Sequence, residues 1–66
     1  MTESKIGDRV RMKYYDGWAY GEVTIVTETE CKILFDGNYD LAYWYYPKDK
    51  LELVIEGEKI ETINNG

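Results

Sequence analysis

Apolar and polar residues alternate with a period of two along most of this chain, which is the pattern of half-buried β-strands. Residues 8–15 (DRVRMKYY) set Val10, Met12 and Tyr14 against Arg9, Arg11 and Lys13. Asp16-Gly17 follows as a turn dipeptide that tolerates positive φ. Residues 19–27 (AYGEVTIVT) are rich in β-branched side chains, and Gly21 inside them marks a bend, a bulge or a close backbone approach. After the polar connection at 28–30, residues 31–36 (CKILFD) place Cys31, Ile33 and Phe35 on one face, and Asp36-Gly37-Asn38 is a second turn signal. Residues 39–46 (YDLAYWYY) read as a fourth strand with large side chains on both faces. Pro47 to Lys50 reads as a single helical turn and residues 51–55 (LELVI) as a fifth strand. Helical periodicity is sustained nowhere. The expected fold is all-β, a small five-stranded barrel over residues 6–56. Residues 1–5 form an N-terminal arm, and 57–66 a polar tail able to add a short strand.

Composition narrows what such a body can do. A chain of 66 residues is one domain at most, and at this size folding buries only about 60% of the unfolded surface. One cysteine and no histidine leave no disulfide framework and no zinc site of the usual ligand type. Nucleophile–base pairs have almost no material, and a small barrel has no deep pocket in which to raise a carboxyl pKa, so no enzymatic activity, cofactor or metal is expected. No apolar run approaches 18 residues and the N-terminus is polar. Neither a membrane span nor a secretory leader is expected, and the expected location is intracellular, in cytoplasm or nucleus. The net charge is −5, unevenly spread: residues 1–15 hold four bases against two acids, and the other 51 hold four bases against eleven acids. Such a field favours a cationic protein or peptide partner over a phosphate polymer, while also serving solubility.

The aromatic content changes the picture most. Ten residues are Phe, Trp or Tyr, seven of them Tyr, and in a small barrel only about half can point inward. Tyr14, Tyr15, Trp18 and Tyr20 bracket the first turn, Phe35 and Tyr39 the second, and Tyr43, Trp44, Tyr45 and Tyr46 end the fourth strand. Tyrosine suits a wet surface, being apolar in the ring and polar at its tip. Asp16, Asp36 and Asp40 lie in or beside the same turns, so both components of a site for an organic cation are present. The same rings could instead fill a core and form cross-strand pairs.

These residues resemble the Tudor family. The resemblance rests on a Gly7-Asp8 entry, a first strand ending in Tyr14, and an Asp16-Gly17 turn followed by Trp18 and Tyr20. A third strand ending in Phe35-Asp36-Gly37 and a closing Lys48-Asp49-Lys50-Leu51 segment complete it. It covers about residues 6–54 and implies that the expected all-β body is a small five-stranded SH3-like (Tudor-type) barrel. The resemblance implies a module that reads methylated lysine or arginine, with Tyr14, Trp18, Tyr20, Phe35 and Tyr39 as cage walls and Asp36 as counter-charge.

Two other readings stand beside this one. A small accessory or inhibitory protein of the bacterial or phage kind would use Tyr43, Trp44, Tyr45 and Tyr46 for protein contact or self-association into a homo-oligomer. A single-stranded nucleic-acid binder would use Arg9, Arg11 and Lys13 on one face of the first strand, against the sign of the overall charge. Cys31 is expected as a buried small hydrophobe, and Glu56, Glu58 and Glu61 as a solvated face.

Overall fold

A computed structural model describes residues 4–37, 39–55 and 59–63. The strands are β1 (Arg9–Tyr14), β2 (Gly17–Val26), β3 (Glu30–Phe35), β4 (Tyr45–Pro47), β5 (Leu51–Ile55) and β6 (Lys59–Thr62). Short 3₁₀ turns cover Tyr39–Tyr43 and Lys48–Lys50. The described residues contain no α-helix. The six strands form one antiparallel sheet in the order β4-β3-β2-β1-β5-β6.

The all-β reading therefore holds, while the five-stranded barrel is replaced by a six-stranded sheet whose described edges, β4 and β6, do not pair with each other. The sheet is nevertheless strongly rolled. A flat sheet would hold β4 and β5 four strand spacings apart, about 19 Å. Only Lys48–Lys50 separates them along the chain, and four Cα steps reach at most about 14 Å. The concave side of this roll holds the core: Val10, Met12, Ala19, Val23, Cys31, Ile33, Phe35, Leu51, Leu53 and Ile63. Burial alternates along β1, β2 and β3, as the period of two requires.

Local chemistry explains where the elements differ from the sequence reading. Tyr14 pairs with Gly17, so the first hairpin loop is Tyr15-Asp16, one residue earlier than Asp16-Gly17, and Tyr15 takes φ 56°. Gly21 is a close approach: a Cβ there would lie 2.6 Å from the Leu34 carbonyl oxygen and 2.8 Å from the Phe35 Cα. The irregularity in the β2–β3 register falls later, between Val23 and Ile25. The expected fourth strand over 39–46 is mostly a 3₁₀ turn. β4 pairs only with Glu30, Cys31 and Lys32, so the chain must first pass the other end of β3 outside the ladder. Leu41 and Tyr46 pack against the core there, and the Tyr46 hydroxyl donates to the Leu41 carbonyl at 2.7 Å.

Ser4, assigned from sequence to an N-terminal arm, is buried, with its Oγ 3.4 Å from the Cys31 Sγ. Lys48 is buried as well. Its ammonium donates to the Glu28 carbonyl at 3.0 Å and its backbone N–H to the Thr29 carbonyl at 2.9 Å. These bonds tie the second 3₁₀ turn to the β2–β3 hairpin.

Candidate functional site

The rings separate into three groups, and strand parity decides the membership of each. On the convex face, Arg9, Arg11 and Lys13 of β1 stand directly across from Glu22, Tyr20 and Trp18 of β2. The Arg11 guanidinium lies 3.7 Å above the Trp18 ring and the Lys13 ammonium 5.2 Å from it. Arg11 also donates from Nε to Glu52 Oε1 at 2.8 Å, across the β1–β5 ladder. Hydrogen bonds to Glu52 and then Tyr20 hold the Arg11 pKa above its ordinary value. Trp18 and Tyr20 thus already attend a cation, and that cation belongs to the same chain.

The second group sits at the tip of the first hairpin. Tyr14 shares the inward parity of Val10 and Met12 but lies past the packed core, exposed at its strand end. Its ring meets that of Tyr15 edge-on at 4.6 Å. Tyr15 is 84% exposed. Its left-handed backbone costs a β-carbon-bearing residue of order 1 kcal/mol. Tyr46 is half-buried and meets the Phe35 ring edge-on at 5.5 Å. Burial, and then the nearby Tyr14 phenol, push the Tyr46 pKa up.

The cage residues are consequently not gathered at one mouth. Tyr14 and the pair Trp18 and Tyr20 have opposite strand parity. Phe35 is 1% exposed and belongs to the core, so it offers no ring face to a ligand. Asp36 forms a bidentate ion pair with Arg9, both guanidinium Nη atoms donating to its carboxylate. That bonding holds the Asp36 carboxyl below its usual pKa and leaves its charge already matched. The Tyr39 side chain, like Glu56 and Glu58, lies outside the described residues. The three bases of the nucleic-acid reading are also engaged: Arg9 by Asp36, Arg11 by Glu52 and Trp18, and Lys13 by Trp18.

The third group is the run leading into β4. Tyr43, Trp44 and Tyr45 are 77%, 64% and 44% exposed, and Tyr45 adds a contact with Lys32, whose ammonium is 5.9 Å from its ring. Tyr46, expected with them, turns inward instead. These three rings, two ahead of β4 and one on it, form the longest run of exposed aromatics among the described residues.

The sequence reading missed two partners of its own candidates. Glu52 and Arg9 could have been found only by knowing that β5 lies beside β1 and that the end of β3 lies near the start of β1. It also missed the strained Tyr15, because the turn was placed one residue late. No protein-family model matches the chain, and no curated protein or solved structure does either. Among the described residues, no helix is long and apolar enough to cross a membrane, and no group of acids and cysteine is arranged to hold a metal.

Proposed function

We propose that this chain is a non-enzymatic protein-binding module that takes a basic segment of its partner onto Tyr43, Trp44 and Tyr45. The observation that carries this is the exposure of those three consecutive rings. Large aromatics left in water by a domain this small forgo burial it can ill spare, and Trp and Tyr are the residues that concentrate binding energy at interfaces. The partner's charge follows from the field: eleven acids against four bases beyond residue 15 attract a cationic segment. Ring faces then add about 0.5–2 kcal/mol for each guanidinium or ammonium they cover.

The rolled sheet, with its fifth strand returning to the first after a short 3₁₀ turn, supports a Tudor-like architecture for the body. The geometry does not favour a methyl-lysine or methyl-arginine cage, because Asp36 is paired and Phe35 is core.

Titration with an Arg-Gly repeat peptide, followed at the two indole N–H resonances, tests the proposal. The Trp44 resonance is expected to shift saturably, with affinity falling as salt rises. Trp18, covered by Arg11, is expected to move little. A response confined to Trp18, or none at millimolar peptide, overturns the proposal. So does a dimeric size-exclusion mass that Tyr43→Ser/Trp44→Ser returns to monomer.

A further inference from the structure

A groove of about 450 Å³ opens between the end of β1, β4 and the second 3₁₀ turn, lined by Met12, Lys13, Tyr46 and Lys50. Its size suits one small ligand or one large side chain. It is distinct from the Tyr43–Tyr45 surface, since Tyr46 points to the opposite side of β4 from Tyr45. The chemistry of the lining runs against the charge of the molecule. The described lining residues are two lysines, a thioether and a phenol, with no carboxylate among them.

Three observations make this a formed site rather than a gap. Tyr46 is locked, its hydroxyl donating to the Leu41 carbonyl and its ring packed on Phe35. Met12 pairs with Leu51, directly after the second 3₁₀ turn, which brings the hairpin tip to the same end of the sheet. At that tip the chain holds Tyr15 in a left-handed conformation against Tyr14, strain of a kind that gathers at binding sites.

We propose that this groove binds an anionic group carried on an apolar stem. The stem lies on Met12 and the Tyr46 ring, and the anion sits between the Lys13 and Lys50 ammonium groups. A carboxylate and a phosphate share this chemistry, and the positive edges of tyrosine rings suit either. Lys13 also lies over Trp18, so drawing its ammonium toward a ligand changes the surroundings of that indole.

The experiment follows the Met12 methyl resonance while phenyl phosphate, phenylacetate, inorganic phosphate or benzyl alcohol is added to the full chain. Phenyl phosphate or phenylacetate is expected to give a saturable shift at Met12 and a smaller one at Trp18. The stronger of the two identifies the group as dianion or carboxylate. Inorganic phosphate and benzyl alcohol, each carrying half of the chemistry, are expected to bind at least about tenfold more weakly. The double variant Lys13→Gln/Lys50→Gln should lose about tenfold or more in affinity. Lys5→Gln, away from the groove, should change nothing. Both lysines are exposed, so the double variant is expected to keep the wild-type fold, read from its amide spectrum. Equal binding of benzyl alcohol, unchanged affinity in a folded double variant, or no saturable shift with either aryl anion overturns the proposal.

Discussion

Gly21 shows most plainly how a single residue sets the body of this protein. A methyl group there would overlap the β3 backbone, which cannot move without breaking the β2–β3 ladder. Gly21→Ala is expected to cost about 1–3 kcal/mol, read as a lower urea midpoint at unchanged slope. Tyr15 gives the opposite sign. Its positive φ suits glycine, so Tyr15→Gly is expected to raise stability by about 0.5–1 kcal/mol, measured by the same unfolding curves. The sequence marked Gly21 as special because glycine inside a β-branched run has few explanations. It did not mark Tyr15, because nothing in a Tyr-Tyr-Asp-Gly stretch says which pair of residues the loop will use; cross-strand pairing decides that. Phe35 was ambiguous for a related reason. Its parity with Cys31 and Ile33 put it inside, while its position at a strand end beside Asp36 put it at a rim, and packing against Tyr46 settled it as core.

Pairing between elements accounts for what happened to the charged candidates. Asp36, just after β3, and Arg9, at the start of β1, are far apart in sequence, and the meander sets them on opposite flanks of β2. The hydrogen bonds from Arg9 depress the Asp36 pKa in the folded state. The stabilisation is therefore complete above the unfolded carboxyl pKa of about 3.9 and is lost as pH falls through the lower folded value. Comparing the melting temperatures of wild type and Asp36→Asn across pH should show a constant gap from pH 7 to 5 that closes as pH falls below the ordinary carboxyl range. Both groups are solvent-exposed, so the gap is expected to be small and to shrink in salt. The three-stranded meander was legible because each strand carries its own alternation and its own turn. The 39–46 segment was not, because a 3₁₀ turn followed by three strand residues leaves the same aromatic spacing as one continuous strand.

At the scale of the whole molecule, a rolled open sheet encloses one core and leaves its large rings on three separate surfaces. Trp18 lies under the chain's own cations, Tyr46 lines a groove with two lysines, and Tyr43 and Trp44 stand open beside Tyr45. The composition announced an aromatic excess but could not divide it, since that division depends on strand parity and on which strands become neighbours. The proposed function rests on the open group. Isothermal titration of the Arg-Gly peptide against wild type and Tyr43→Ser/Trp44→Ser tests it most directly. The exposed positions predict a variant that melts within a few degrees of wild type and binds at least about tenfold more weakly. Equal affinity in a folded variant would contradict the account.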